Sequence, residues 1–445
     1  MIFYQNLRSE TVRIFREAEK SEIKSWLLST HRASRENVSK AIEISFFGGE
    51  ILADNGTGKL ISKITSKYRK ESDVLNMQIK ALRKRTKRTP RGKSIPYHLK
   101  KKYDIIIQSI FSDCDLILDD ITIQDIVTKQ IEYKASHIIA KEDFGIACLI
   151  SLGIERIYSS KSLKYFTNRN LQSISYWDRT CKIFPDNFNK IYCVIAAFDY
   201  NTAYKAGLSA AAAGVEHIAI GFSAINSDSF ATDFIQINKK NYKVKACPRR
   251  YSRAGQIILG ITEAYKSKKK ELKSFHALGL GSPVLFYLIT TYLPSYCDFS
   301  ADSTSPIFDA TKNGYLYTLE DIFRRRSFDF LLKLKLNKTL DLSIFLELVE
   351  RKVDHNYYRI SPSSTNENVD DQVLKHAPFF HISEFTEYKI CHNNSVLHDI
   401  SMEIMNSSNK IKFCLEKIDL FKIKGGYVDK HGIRAFLQIQ QKYLG

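Results

Sequence analysis

One rhythm constrains this chain more than any other feature. Short apolar runs alternate with helical patterns about every 25–30 residues through the middle of the sequence. His137–Ala140, Ile154–Tyr158, Tyr192–Phe198, Val215–Ile220, Ser274–Leu278 and Cys297–Ala301 read as strands, the last ending at Asp302. Ala147–Leu152, Thr202–Ala213, Arg253–Tyr265 and Val284–Leu293 read as the helices between them. A near-continuous apolar strand such as Tyr192–Phe198 is typical of a parallel sheet, whose two faces are both covered. Strand–helix alternation of this kind predicts an α/β fold. A (β/α)8 TIM barrel fits the spacing, and a doubly wound sheet is the rival. No GxGxxG follows the first strand, so dinucleotide binding has no local support.

Earlier and later segments read less regularly. Ser9–Leu28 has apolar residues at roughly helical spacing. Ile42–Phe47 and Ile51–Ala53 read as a strand pair broken at Gly48-Gly49, with Asp54-Asn55-Gly56 after it. Cys114–Leu118 reads as a strand ending at Asp119-Asp120. Ile322–Arg326 reads as a basic helix, and Leu340–Leu348 as amphipathic. The polar stretch 361–371 marks a loop or linker, and a mixed, mostly helical tail follows. We divide the chain into a barrel over residues 1–345 and a C-terminal extension over 346–445.

Charge narrows the partners. Lys and Arg number 67 against 48 Asp and Glu, a net +19. Such an excess points to a polyanion, nucleic acid before membrane. Residues 59–102 read as an insertion, a helix and then a surface loop. Eleven of the 23 residues from Lys80 to Lys102 are basic. Lys80, Arg83, Lys84, Arg85, Lys87, Arg88, Arg91 and Lys93 are candidate phosphate contacts. A solvated charged surface gives the same composition. No apolar run reaches the roughly 20 residues of a membrane span, and no signal-peptide pattern opens the chain, so a cytoplasmic location is expected. The eight cysteines lack the short spacings of a zinc site, so no metal is expected.

Carboxylates at strand ends are the chemical candidates, because a barrel places its active site at the C-terminal ends of its strands. Asp54, Asp119 with Asp120, Asp199 and Asp302 all read as such positions. Any one of them is equally a helix cap. Two carboxylates facing a sugar C1 could divide the labour, one attacking and one moving the proton of the leaving base. Spacing alone does not select the pair. Gly221 and Gly281 follow strands and could admit a flat ligand to the backbone.

The ordered motifs resemble the tRNA-guanine transglycosylase superfamily, most closely its DNA-acting DpdA-type branch. Five segments carry the resemblance over residues 45–320: Ile51–Gly58, Asp115–Asp120, Tyr192–Phe198 with Gly214–Phe222, Gly279-Leu280-Gly281-Ser282-Pro283, and Cys297–Ser303. The resemblance implies a TIM barrel with insertions. It implies a pentosyltransferase that exchanges guanine for a 7-deazaguanine base through a covalent sugar–enzyme intermediate, without a cofactor. Asp302 is then the nucleophile, with Asp298 a weaker candidate, and Asp54 the general acid/base. Asp119 or Asp120 reads the base, with Asn55, Gly221 and Gly281 beside it. The tRNA-acting relatives carry a Cys-x-Cys-x-x-Cys plus His zinc site that this chain lacks, and Ala196-Ala197-Phe198 replaces their Gln-Gly-Gly. These departures favour DNA over tRNA as polymer and 7-cyano-7-deazaguanine (preQ0) as incoming base, with a helper protein of a DNA-modification system as a further partner. The alternatives are the same exchange on tRNA and a catalytically silent nucleic-acid-binding barrel.

Overall fold

A computed structural model describes residues 1–7, 25–30, 33–86, 96–154, 160–221, 234–237, 240–243, 249–311, 315–317 and 325–327, with scattered positions between 390 and 437. Eight parallel strands close into a barrel. They are β1 (Ile2–Asn6), β2 (Ser25–Ser29), β3 (Glu50–Asp54), β4 (His137–Ile139), β5 (Lys190–Val194), β6 (His217–Gly221), β9 (Ser274–Leu278) and β10 (Asp298–Ser303). Closure comes from β10 pairing with β1, with Asp302 opposite Tyr4. Two antiparallel hairpins lie outside the barrel: β7 (Phe234–Ile237) with β8 (Lys240–Lys243), and β11 (Tyr315–Tyr317) with β12 (Arg325–Ser327).

The helices are α1 (Arg35–Phe46), α2 (Thr57–Thr86), α3 (Tyr97–Asp120), α4 (Ile123–Glu132), α5 (Gly145–Leu152), α6 (Ser160–Ile183), α7 (Tyr200–Ala212), α8 (Arg249–Ser267), α9 (Pro283–Tyr292) and α10 (Ser305–Thr311). The α/β barrel expected from the rhythm is therefore the fold. Among the described residues, no helix is long and apolar enough to cross a membrane.

The period of two along each strand sorts side chains between two cores. Phe3, Phe275, Ala277, Phe299 and Ala301 face outward and pack against α7, α8 and α9. Trp26, Leu28, Ile51 and Ala53 do the same beneath α2, α3 and α5. Tyr4, Leu27, Leu52, Ile139, Tyr192, Val194 and Ala219 fill the barrel interior. Below that layer, at the N-terminal ends of the strands, lies a polar floor. Lys190 pairs with Asp298 at 2.9 Å, His137 approaches Glu50 at 3.7 Å, and His217 Nδ1 meets Ser274 Oγ at 2.7 Å. Burial pushes the His217 imidazole down to about 4, so this ring is neutral at physiological pH.

Several local readings are corrected. Ile42–Phe46 belongs to helix α1, where Ala41 and Ile44 are buried and the Ser34 hydroxyl caps the Asn37 N–H at 3.2 Å. Ser25–Ser29 is a strand rather than the end of a helix. Arg325 and Arg326 lie in β12 rather than in a helix. The largest correction is Cys114–Leu118, which forms the last turns of α3. That helix buries Leu99, Tyr103, Ile106, Ile107, Ile110, Phe111, Cys114 and Leu118. Steps of three and four over 24 residues outweigh the strand-like look of five. The insertion is one helix to Thr86, and Lys100–Lys102 belong to α3 rather than to a loop.

Most of the strand expected at Ile154–Tyr158, most of Ser9–Leu28, the segment Leu340–Leu348, the 361–371 linker and the 345/346 boundary lie outside the described residues. Within the tail, Leu397, Ile400, Ile404 and Leu437 are buried in the same cluster as α8 and α9, and Tyr287 donates to Glu403 at 3.1 Å.

Candidate active site

Inward-facing residues at the C-terminal ends of the strands form the site. On β10 the alternation brings Asp298, Ser300 and Asp302 inward, at the floor, the middle and the top of the barrel. Asp302 is 7% exposed. Its Oδ1 accepts the Gly279 N–H at 3.0 Å and lies 3.3 Å from His276 Nε2. Among the described residues, its Oδ2 accepts only a long bond, 3.5 Å, from the Asn6 side chain. Gly279 has φ +72°, a left-handed backbone that aims its N–H at the carboxylate and that a side chain would strain.

Asp54 ends β3 and is held by the Ser29 side chain and by the Asn55 and Gly56 N–H groups. Burial, followed by the negative charge of Asp302, pushes the Asp54 carboxyl up to about 6. The two carboxylates predicted to divide the chemistry therefore share one end of the barrel, where the charge of Asp302 acts on Asp54.

A third acid was not foreseen. Glu142 follows β4, is 9% exposed and reaches Asn55 Nδ2 at 3.4 Å. Burial, and then the Asp54 charge, push it up to about 7. Its neighbour Asp143 is engaged elsewhere. It accepts from Arg169 Nη1 at 2.9 Å and from the Gly145 N–H at 3.0 Å, and Arg169 also pairs with Asp115. The signal for Glu142 was in the sequence, since Lys141-Glu142-Asp143 directly follows the run read as a strand.

Asp119 and Asp120 do not end a strand. They are the last two residues of α3, both exposed. Asp120 stays near the site, because it lines a groove of about 490 Å³ together with Asn55, Lys141 and Glu142. Asn55 caps α2, its Oδ1 accepting the Thr57 N–H at 3.0 Å, while its Nδ2 ties β3 to the Ala140 carbonyl at 2.8 Å. Asp298 lies at the opposite end of β10 from Asp302 and pairs with Lys190, which removes it as an alternative nucleophile. Asp199 is a helix cap, its Oδ1 accepting the Thr202 N–H at 2.8 Å.

The two glycines differ. Gly221 ends β6 and faces open space, so a Cβ there meets nothing within 4 Å. At Gly281 a Cβ would lie 2.9 Å from Ser303 Cβ and 3.0 Å from Ser305 Cβ, so its small size serves packing against the end of β10. Lys80 is exposed on α2. Arg83, Lys84 and Arg85 lie on the final turns of the same helix, and Lys87, Arg88, Arg91 and Lys93 fall outside the described residues.

No protein-family model matches the sequence, and no curated protein matches it significantly. The site must therefore be read from its own geometry. It offers a buried carboxylate with one lightly engaged oxygen and two neighbouring acids held closer to neutrality. That set suits substitution at a carbon bearing a basic leaving group.

Proposed function

We propose that this chain exchanges guanine in DNA for a free 7-deazaguanine base such as preQ0. One observation carries the reading: Asp302 and Asp54 lie at the C-terminal mouth of one barrel in different environments, with the charge of Asp302 acting on Asp54. The Asp302 carboxylate attacks C1′ of the deoxyribose. The C1′–N9 bond breaks, its electron pair leaves with guanine, and the Asp54 carboxyl supplies the proton. The incoming base returns a proton to Asp54 as its N9 attacks C1′, and the Asp302 carboxylate departs. Two displacements retain the anomeric configuration. Glu142 takes the base-reading place that the resemblance gave to Asp119, because it follows a barrel strand and borders the acid pair. A guanine inside a duplex must first be extruded, at a few kcal/mol. The basic run from Lys80 to Lys93 would hold the backbone meanwhile.

The test is incubation with double-stranded DNA and preQ0, followed by nucleoside mass spectrometry. A deazaguanine deoxynucleoside is expected with the native protein. Asp302→Asn is expected to lower its formation by more than about 1,000-fold, with the melting temperature retained. Exchange on tRNA but not DNA would move the reading to the polymer's RNA counterpart. Salt-sensitive DNA binding with no exchange on either polymer would favour a silent binding barrel.

A further inference from the structure

We infer that His276 is a positioning residue that fixes Asp302 for attack through Oδ2. The inference rests on the base-exchange reading for its chemistry, but its geometry stands alone. His276 is fully buried at the middle of β9, in a layer otherwise filled by Leu27, Leu52, Ile139, Ala219 and two tyrosine rings. A polar ring in such a layer is costly unless its nitrogens are bonded. Both are: Nε2 lies 3.3 Å from Asp302 Oδ1 and Nδ1 lies 2.9 Å from Ser300 Oγ. The rings of Tyr4 and Tyr192 flank the imidazole at centroid distances of 5.9 and 5.7 Å, so it cannot swing away.

A carboxylate has no proton to give, so Nε2–H donates to Asp302, and in the neutral ring Nδ1 accepts the Ser300 hydroxyl proton. The support continues downward. The Tyr192 hydroxyl is hydrogen-bonded to both Ser300 and Ser274, and Ser274 Oγ meets His217 Nδ1 at 2.7 Å. This chain of hydroxyls holds the tautomer from below. Gly279 N–H is the second donor to Oδ1, so Oδ1 is saturated and immobile. Oδ2, which among the described residues has only the long Asn6 contact, is the oxygen left to bond C1′. When the Oδ2–C1′ bond forms, the C1′–N9 pair leaves with guanine and takes the Asp54 proton. His276 gives up no proton and touches no reacting atom.

The experiment compares full-length wild type with His276→Phe, His276→Gln, Ser300→Ala and Asp302→Asn. Phe keeps the aromatic packing and loses the donor. Gln can place an amide N–H near the Nε2 position. In the base-exchange assay, Phe is expected to lower kcat roughly 10- to 100-fold with little change in KM, and Gln to recover most of it. The second readout needs no substrate: long-range proton–nitrogen NMR of nitrogen-15 histidine, in which the His276 ring is the signal missing from His276→Gln. That signal is expected to report an Nε2–H tautomer, to move in Asp302→Asn and to show mixed tautomers in Ser300→Ala. Full activity in His276→Phe, or equal losses in Phe and Gln, would overturn the role. So would a ring signal that ignores Asp302→Asn, and this result decides alone if His276→Phe does not fold. If no protein exchanges bases while the ring still senses Asp302, the reaction assignment fails and the positioning stands.

Discussion

At the scale of single residues, the acids of the mouth are held at a cost. Asp54 is pushed up to about 6 against an ordinary 3.8, so the folded chain binds that proton more tightly than the unfolded one. Stability from this group is greatest at low pH and is lost as pH rises from about 4 to about 6. Asp54→Asn is therefore expected to stabilise the protein at pH 8 by roughly 1–3 kcal/mol, with no gain at pH 4, while abolishing exchange. Chemical denaturation at the two pH values checks this. As a general acid, Asp54 serves only while protonated, so kcat/KM for the first displacement is expected to fall above pH ~6. A pH–rate profile of the native protein checks the limb. Gly281→Ala is expected to destabilise by about 1–3 kcal/mol, because its methyl meets Ser303 and Ser305. Gly221→Ala is expected to leave the melting temperature unchanged, since its methyl enters open space.

At the scale of elements, α2 is the unusual part. Its 30 residues span about 45 Å, far beyond a five-residue barrel strand. It begins three residues after Asp54 and carries Lys59, Lys63 and Lys70 exposed along its length before Lys80. Replacing Lys80, Arg83, Lys84 and Arg85 together by Ala is expected to weaken DNA binding alike across sequences and to reduce the slope of log K against log salt by about 3–4. Binding isotherms at several salt concentrations measure it. The later strands were legible because each is short, apolar and followed by a helix pattern, as at Ser274–Leu278 and His217–Gly221. Asp54 and Asp302 were legible for the same reason. Asp119 was misplaced because five apolar residues fit a strand and a helix equally, and only the whole burial stripe of α3 decides. His276 and Asn6 were hidden differently. Their importance lies in contacts with Asp302 from 26 and 296 residues away, which no local pattern records.

At the scale of the molecule, closure of the barrel and completion of the site are one event. Asp302 lies on the last barrel strand, and that strand pairs with the first across Tyr4. A chain ending at residue 297 would leave β1 and β9 as unpaired edges, and it is expected to aggregate. Size-exclusion chromatography after refolding checks this against the full chain. During synthesis, β1 leaves the ribosome almost three hundred residues ahead of its partner β10. At about 5–20 residues per second that delay is roughly 15–60 seconds. Through that interval the nascent barrel is open along one seam and lacks Asp302. A translation product abandoned before β10 lacks Asp302, so under the proposed base exchange it is expected to be inert.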